Sequence, residues 1–417
     1  MTAGGASAAF FEEWGRRGPG ERRSLRRAAL LAGRLGVTAP GVPVLTVVGS
    51  KGKGTAATYA SAWLAAAGRR VVTVTSPGLR GDDERIRLGG AAIGDEELAR
   101  LGRLIREAVR SLPPRDDGYL SPSGLFTMAG LLHARAAGAD MIVLEAGMGG
   151  VSDEASLFPP SVVAITEVFG EHLGVLGDTP AEIAADKAGI AGETTSAVVS
   201  LPQTPAVGAA IAAAVATRTG RGVETMKPTD VPHPAGSPVA GETDNGPFPS
   251  GLHRPNAVLG CFAAQRLLDT TGRSAPAGDR LAKVLSSVRL PGRTSWHEIP
   301  GATLLVDSAV ERAGAAAALA AAYRRWDRID HVLVCLPDHK DADGVLAALV
   351  GLPVTRVRMP DRESLRFTRT PDAVDAADLT RERLAAYGAR VVVLGTVYFT
   401  GRILDLVDAG TRRLFEA

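Results

Sequence analysis

Short apolar runs alternate with helical patterns along the first half of this chain. Four runs rich in β-branched residues predict strands at residues 44–48, 71–75, 141–144 and 162–165. Helical spacing of apolar residues predicts helices at residues 21–35, 56–67, 95–112, 124–137 and 180–190. Strands that are apolar at every position and alternate with helices are typical of a parallel sheet covered on both faces. The pattern therefore predicts an α/β domain.

The second half shows the same alternation after a break in composition. Residues 226–250 are too rich in proline and glycine for a packed helix, and they predict a long loop. Helices are predicted at 256–271 and 279–288, and further strands at 303–306, 331–336, 354–359 and 390–394. Pro291-Gly292 marks the predicted hinge. The predicted fold is therefore a P-loop-type parallel sheet flanked by helices in residues 1–290, plus a smaller C-terminal α/β, Rossmann-like domain in residues 291–417.

Composition excludes several classes of protein. The 417 residues suffice for two domains, and the net charge of +2 gives no basic field for nucleic acid. Cys261 and Cys335 lie in apolar surroundings and are interpreted as core residues of a reduced protein. No uncharged apolar stretch of about 18 residues predicts a membrane span, and no signal peptide is evident. A cytoplasmic monomer without a nucleic-acid or membrane partner is expected.

The most informative segment is the glycine-rich turn between the first strand and the next helix. It reads Gly49-Ser-Lys-Gly52-Lys53-Gly54-Thr55. Glycines let backbone N–H groups approach phosphates, and the helix N-terminus adds positive charge. Lys53 would reach the β- and γ-phosphates of a nucleotide, and Thr55 would ligate Mg²⁺. A strand–helix turn rich in glycine that binds nothing is the alternative.

Polar side chains follow other predicted strands at the same edge of the sheet. Ser76, Glu145 and His172 each come at or just after a strand end. Ligands of parallel sheets bind beyond the carboxyl ends of the strands. A carboxylate at the end of an apolar strand is costly to bury unless a cation meets it. Together with Thr55, these three residues are therefore the predicted metal ligands, although a structural role for His172 remains open.

Several motifs resemble the Mur ligase superfamily, and folylpolyglutamate synthases in particular. The phosphate loop is close to that superfamily's G-T-N-G-K-G-[ST]. Four further segments match folylpolyglutamate synthase motifs: Thr75-Ser-Pro-Gly-Leu with Glu84-Arg-Ile, Leu144-Glu-Ala-Gly-Met-Gly-Gly, Glu171-His-Leu-Gly with Lys187-Ala-Gly-Ile, and Gly395-Thr-Val-Tyr. Asn256 and Pro291-Gly292-Arg293 stand in family order. The resemblance therefore covers nearly the whole chain.

The resemblance implies an ATP-dependent ligase that joins a small carboxylic acid to an amine or amino acid through an acyl phosphate. ATP and two Mg²⁺ ions would be its cofactors, and Lys53, Lys187 and His172 its catalytic residues. In that family the lysine matching Lys187 is carbamylated by CO₂. The resemblance also places Asn256 near the adenine. Arg293 and Asp307 would complete the nucleotide site, and the two domains would be a Mur ligase central-type ATP-binding domain and a Mur ligase C-terminal domain.

Other positions depart from the family pattern and leave the substrate open. Gly78 stands where the family has a histidine, and Asp307-Ser-Ala-Val-Glu-Arg replaces D-G-A-H-N-P. A dedicated amide ligase acting on a non-folate acid is therefore one alternative. A nucleotide-binding relative without catalysis and a small-molecule kinase are two others.

Overall fold

The computed structural model describes residues 3–115, 118–226, 248–249, 251–360, 365–370 and 372–417. The chain divides into two compact units, Met1–Val288 with Arg412–Ala417, and Arg289–Thr411. The loop predicted at 226–250 lies outside the described residues, apart from 226, 248 and 249.

The first unit is built on one large sheet in its described residues. Its strands are β1 Val44–Val48, β2 Val71–Val74, β3 Ile86–Leu88, β4 Ala91–Ala92, β5 Met141–Glu145, β6 Val162–Ile165, β7 Ala197–Ser200 and β8 Glu224–Thr225. The strand order is β4-β3-β2-β5-β1-β6-β7-β8. All neighbours pair in parallel except β2 with β3 and β3 with β4. The carboxyl ends of β2, β5, β1 and β6 therefore lie side by side.

Helices cover this sheet on both faces. They are α1 Ala3–Ala6, α2 Ala8–Gly15, α3 Leu25–Leu35, α4 Lys53–Ala66, α5 Asp95–Arg110, α6 Pro122–Ala136, α7 Pro180–Ala188, α8 Pro205–Thr219, α9 His253–Thr270 and α10 Gly278–Ser286. Short 3₁₀ helices lie at Asp82–Arg85 and Glu154–Leu157. The α/β class predicted for this region is confirmed.

Local sequence signals explain where several helices begin. The helix predicted at 21–35 begins only at Leu25, because the Ser24 side chain accepts a hydrogen bond from the Arg27 backbone N–H and caps α3. At α7, Thr179 and Glu182 form a reciprocal capping box, and Pro180 occupies the first turn. This cap fixes the start of the helix that carries Lys187.

Helix α9 packs unusually close to α4. A Cβ at Gly260 would lie 2.1 Å from the Ala56 carbonyl oxygen, so only glycine permits this approach. Cys261, on the same turn, is fully buried, and burial raises the pKa of its thiol. The close contact brings the first turn of α9 to the start of α4, next to the phosphate loop.

An ion pair within α5, between Glu97 and Arg100, should make the stability of the first unit depend on acid. A hydrogen bond from Arg100, assisted by His133, lowers the pKa of Glu97 from 4.5 to about 2. Because the folded pKa is the lower one, the pair stabilises the fold above pH 4.5, and this contribution is lost as the pH falls towards 2. Glu97→Gln should therefore lower the free energy of unfolding near neutrality, with a gap to wild type that closes in acid.

Urea unfolding across this acid range measures that gap. Glu96→Gln is the matched control, since Glu96 is an exposed neighbour on α5. A gap for Glu97→Gln that stays constant with pH would contradict the assignment.

The second unit holds a smaller sheet in its described residues. Its strands are β9 Ser295–Ile299, β10 Ala302–Asp307, β11 His331–Cys335, β12 Val354–Arg358, β13 Val374–Asp375 and β14 Arg390–Gly395, in the order β13-β12-β11-β14-β10-β9. Only β9 and β10 pair antiparallel. Its helices are α11 Arg312–Arg325, α12 Ala342–Ala348, α13 Arg381–Ala386 and α14 Val397–Leu406, with a 3₁₀ helix at Ala376–Asp378. The prediction of a second α/β domain is confirmed.

The last six residues depart from the predicted division, which assigned residues 291–417 to the second domain. They belong to the first unit. Backbone hydrogen bonds join Ala92 N to Arg412 O at 2.7 Å and Leu414 N to Gly90 O at 3.0 Å. Phe415 is 2% exposed and packs on Gly90. These long-range contacts, which no local pattern reveals, return the tail to the first sheet.

Candidate active site

The turn between β1 and α4 lies close to neighbouring segments at both of its bends. Gly49 has a φ of 133°, and a Cβ there would lie 1.9 Å from Thr166 Oγ1. Gly52 has a φ of 81°, and a Cβ there would lie 2.2 Å from Asn256 Cγ. Only glycine combines this backbone with such close approach. The predicted strand–loop–helix arrangement therefore forms, with α4 beginning at Lys53 and including Gly54 in its first turn.

Two lysine side chains meet at one carbonyl oxygen of this loop. Lys53 Nζ donates a hydrogen bond to Gly49 O at 3.0 Å, and Lys187 Nζ donates to the same oxygen at 3.0 Å. Lys187 is 1% exposed and also donates to Glu171 Oε1 at 3.2 Å. The structure thus brings the predicted Lys187 on α7 to the phosphate loop, with Glu171 as its anionic partner.

Burial and neighbouring charges shift the pKa values of Lys187 and Glu171. Burial lowers the pKa of Lys187, and the charge of Lys53 lowers it further, against the opposing effect of Glu171. Burial alone would raise the pKa of Glu171, but the charges of Lys53, Lys187 and His172 together outweigh it and hold that pKa below its usual value. Glu171 is therefore an anion at neutral pH, while Lys187 loses its proton more easily than an exposed lysine.

Thr55 and Glu145 offer oxygen atoms suited to a divalent cation. Thr55 is fully buried, and its Oγ1 has no hydrogen-bond partner in the structure. Glu145, at the end of β5, is 8% exposed, and its Oε2 accepts a hydrogen bond from Ser76 N at 3.1 Å. Ser76 Oγ in turn accepts one from the Arg85 guanidinium at 3.0 Å. A hydroxyl and a carboxylate fit Mg²⁺, which commonly completes its shell with phosphate oxygens and water.

His172 lies on an exposed turn between β6 and α7. Its backbone is left-handed, with a φ of 55°, and its carbonyl accepts the N–H groups of Val175 and Leu176. Within the part of the chain that the structure describes, no group of three or more His, Cys, Asp and Glu side chains could hold a metal ion. Metal binding or catalysis by His172 therefore stays a prediction.

Asn256 lies in the first turn of α9. Its Nδ2 donates to Leu252 O at 3.0 Å, and its buried Oδ1 has no hydrogen-bond partner among the residues that the structure describes. The side chain faces Gly52, so the structure places Asn256 beside the phosphate loop. An adenine contact stays a prediction.

Arg293 and Asp307 belong to the second unit. Asp307, at the end of β10, is 7% exposed, and its Oδ2 accepts hydrogen bonds from Thr294 N at 2.6 Å and from Thr294 Oγ1 at 2.8 Å. Thr294 directly follows Arg293, so these two predicted residues are neighbours within their own unit. Their contribution to a nucleotide site stays a prediction.

Two residues that support the site, Glu171 and Asp186, were not identified from the sequence. Asp186 Oδ2 accepts hydrogen bonds from Gly150 N at 2.9 Å and from Ser152 Oγ at 3.0 Å, which ties the loop after β5 to α7. Glu171 directly precedes the predicted His172 and could have been found as an acid in the loop after β6. Asp186 carries only the weaker signal of an acid beside the predicted Lys187.

Gly52→Ala should weaken nucleotide binding by at least about tenfold. A left-handed backbone costs alanine about 1–2 kcal/mol, and because Gly52 lies in the binding loop itself, that loop would populate its binding conformation about tenfold less. The new methyl group would also displace Asn256. Titration with a fluorescent ATP analogue measures the loss.

Gly41→Ala is the control for that variant. Gly41 also has a left-handed backbone, with a φ of 75°, but nothing lies within 4 Å of the position of its Cβ. It should keep wild-type affinity. Equal binding by Gly52→Ala and wild type would contradict the role given to the loop.

Known proteins resemble this chain in sequence, although no protein-family model matches it. It is 32% identical over 274 residues to the dihydrofolate synthase/folylpolyglutamate synthase of Escherichia coli, which covers 64% of this chain and 61% of that relative. The Bacillus subtilis enzyme of the same name is 31% identical over 189 residues, 45% of this chain and 44% of the relative. These alignments therefore span less than two thirds of either relative's length.

Solved structures extend the likeness over the whole chain. Mycobacterium tuberculosis folylpolyglutamate synthase complexed with ADP and AMPPCP superposes with a TM-score of 0.78 at 23% identity, covering 97% of this chain and 99% of that one. The fold is that of the folylpolyglutamate synthases. The resemblance to folylpolyglutamate synthases that the motifs predict is confirmed, and so is the α/β fold class. Among the described residues, no helix is long and apolar enough to span a membrane.

Proposed function

We propose that this chain is an ATP-dependent ligase of the folylpolyglutamate synthase type, which forms an amide from a carboxylic acid and an amine and releases ADP and phosphate. The observation that carries the proposal is the convergence of Lys53 and Lys187 on the Gly49 carbonyl, beside the unpartnered hydroxyl of Thr55. A lysine cation and backbone N–H groups at a helix N-terminus are suited to polyphosphate. The folylpolyglutamate synthase of M. tuberculosis forms complexes with ADP and AMPPCP.

Amide formation needs a better leaving group than hydroxide. A carboxylate oxygen of the acid attacks the γ-phosphorus of ATP, the bond to the β-phosphate oxygen breaks, and ADP leaves. The amine then attacks the acyl carbon of the acyl phosphate, phosphate leaves, and the amine nitrogen loses a proton. The protein contributes positioning and charge neutralisation to such steps. Lys53 would neutralise the β/γ end of ATP, while the turn from Gly49 to Thr55 would orient it.

Magnesium belongs to this proposal. Mg²⁺ would withdraw charge from the phosphates when bound. Thr55 and Glu145 would hold the ion shared by the β- and γ-phosphates, and Ser76 and His172 are candidates for further ligation. Ser76 already fixes Glu145 through its backbone N–H, which keeps one carboxylate oxygen in place.

Carbamylation of Lys187 by CO₂ is a further part of the proposal. The neutral amine nitrogen attacks the carbon of CO₂, and the amine releases a proton, which leaves an anionic carbamate. The lowered pKa of Lys187 increases the fraction of amine that can react. Glu171, now 3.2 Å from the nitrogen, would have to turn away, since two anions would otherwise face each other.

The acid substrate has two candidates. The curated relatives are named for folate and dihydrofolate synthesis, which supports a folate with glutamate as the amine. The glycine at position 78 supports the second candidate, an acid other than a folate. A Cβ at that position would lie 2.1 Å from the Gly81 carbonyl oxygen, so this loop has no room for the histidine of the family motif.

ADP release tests both candidates. ATP turnover is measured with tetrahydrofolate or dihydropteroate and glutamate, then with a panel of small acids and amino acids. Robust turnover with the folate pair would remove the second candidate. Hydroxylamine traps an acyl phosphate as a hydroxamate, so a stable phosphorylated product without hydroxamate would instead indicate a kinase.

Binding without turnover is the remaining outcome. Tight ATP binding and no ADP release across the panel would indicate a non-catalytic nucleotide-binding relative. Retention of Lys53, Thr55, Glu145, His172 and Lys187 argues against that reading. A cytoplasmic location and a monomeric state stay predictions from the sequence.

A further inference from the structure

The segment that leaves β6, residues 166–169, forms a platform under the phosphate loop. Ser50 N donates to Glu167 O at 2.9 Å. Ser50 Oγ accepts the Phe169 N–H at 3.2 Å and lies 3.3 Å from Phe169 O. Thr166 fills the space beside Gly49. The first bend of the phosphate loop is therefore shaped by this platform.

The side chain of Gln203 binds the platform on the side away from the phosphate loop. Gln203 lies between β7 and α8, and its Oε1 accepts the Val168 N–H at 3.0 Å. Its Nε2 donates to Thr166 O at 3.1 Å and to Ser200 Oγ at 3.2 Å. The amide oxygen and one amide N–H therefore bind the platform, and the other N–H binds Ser200 on β7. No other side chain type of this length offers that set of bonds.

We propose that Gln203 is a positioning residue for the phosphate-binding loop, acting through the platform at residues 166–169. The proposal rests on the function proposed above. Gln203 is not expected to touch ATP. Its hydrogen bonds fix the backbone of residues 166–169, and Ser50 and Gly49 contact that segment. Because Lys53 and Lys187 both donate a hydrogen bond to Gly49 O, a displaced Gly49 would also displace the two lysine side chains that converge on the loop.

The platform can be tested without nucleotide. Gln203→Met keeps the length of the side chain and removes all three hydrogen bonds. Hydrogen–deuterium exchange of peptides spanning residues 47–53 and 165–170 should then quicken by about tenfold, which corresponds to one net hydrogen bond. Gln265→Met is the matched control, since Gln265 is also half-buried and accepts the Trp63 Nε1 hydrogen bond at 3.1 Å on the other side of α4. It should leave both peptides unchanged.

The second measurement separates positioning from general stability. Gln203→Met should raise KM for ATP by about tenfold, with little change in KM for the acid, while Gln265→Met should change neither. Wild-type exchange and wild-type KM in Gln203→Met would overturn the proposal. Equal effects from both variants would overturn it as well, because the loss would then be one of overall stability. If the wild type shows no ATP turnover, the proposed function fails, and the exchange experiment still decides the role of Gln203.

Discussion

The Lys53→Ala variant is expected to lose at least about 100-fold in kcat/KM for ATP, the loss typical when one preorganised electrostatic contact is removed. Lys53 Nζ lies 3.0 Å from the carbonyl of Gly49, at the start of α4. Alanine would leave the backbone of the loop intact but remove the cation that we propose to neutralise the β/γ end of ATP. ADP release at saturating acid and amine measures the effect.

Lys51→Ala is the matched control, because Lys51 is an exposed lysine of the same loop. Its loss should be much smaller. Both variants should unfold at the wild-type temperature, since Lys53 donates its hydrogen bonds to carbonyls of its own loop, Gly49 O and Ser50 O. Activity within a few-fold of wild type in Lys53→Ala would contradict the assignment of the phosphate loop.

Structural elements that depend on contiguous residues could be predicted from the sequence. Each strand predicted from an apolar run forms, with bounds that differ by at most one residue. The phosphate loop could be predicted for the same reason, since its glycines, its lysine and the following helix are contiguous. Parallel strands then place Ser76, Glu145 and the segment after β6 at one edge, because β2, β5, β1 and β6 are neighbours.

Features that depend on contacts distant in sequence could not be predicted. Short strands such as β3 and β4 lack a long apolar run, and β4 is held partly by the tail beyond Arg412. The pairing of Lys187 with Glu171 depends on how α7 folds back on the loop after β6. Gln203 has no pattern around it that marks a function, since its role lies in three hydrogen bonds to other segments.

The Lys187→Ala variant is also expected to lose at least about 100-fold in activity, because it removes the second group at the Gly49 carbonyl. It leaves Glu171 without its hydrogen-bonded cation, so a loss of stability accompanies it. Thermal unfolding of the variant, measured beside ADP release, separates the two effects. Near-wild-type activity of the variant would show that Lys187 has a purely structural role.

The form in which Lys187 acts can be decided by a second substitution. Lys187→Arg keeps a cation but cannot be carbamylated. If the carbamate is the working form, Lys187→Arg should be as inactive as Lys187→Ala, and acetate should restore part of the activity of the alanine variant by supplying a carboxylate.

Wild-type activity should then rise with bicarbonate and at mildly alkaline pH, because carbamylation consumes the neutral amine. If Lys187→Arg retains substantial activity and bicarbonate has no effect, Lys187 acts as the ammonium that the structure pairs with Glu171, and the carbamate proposal is wrong.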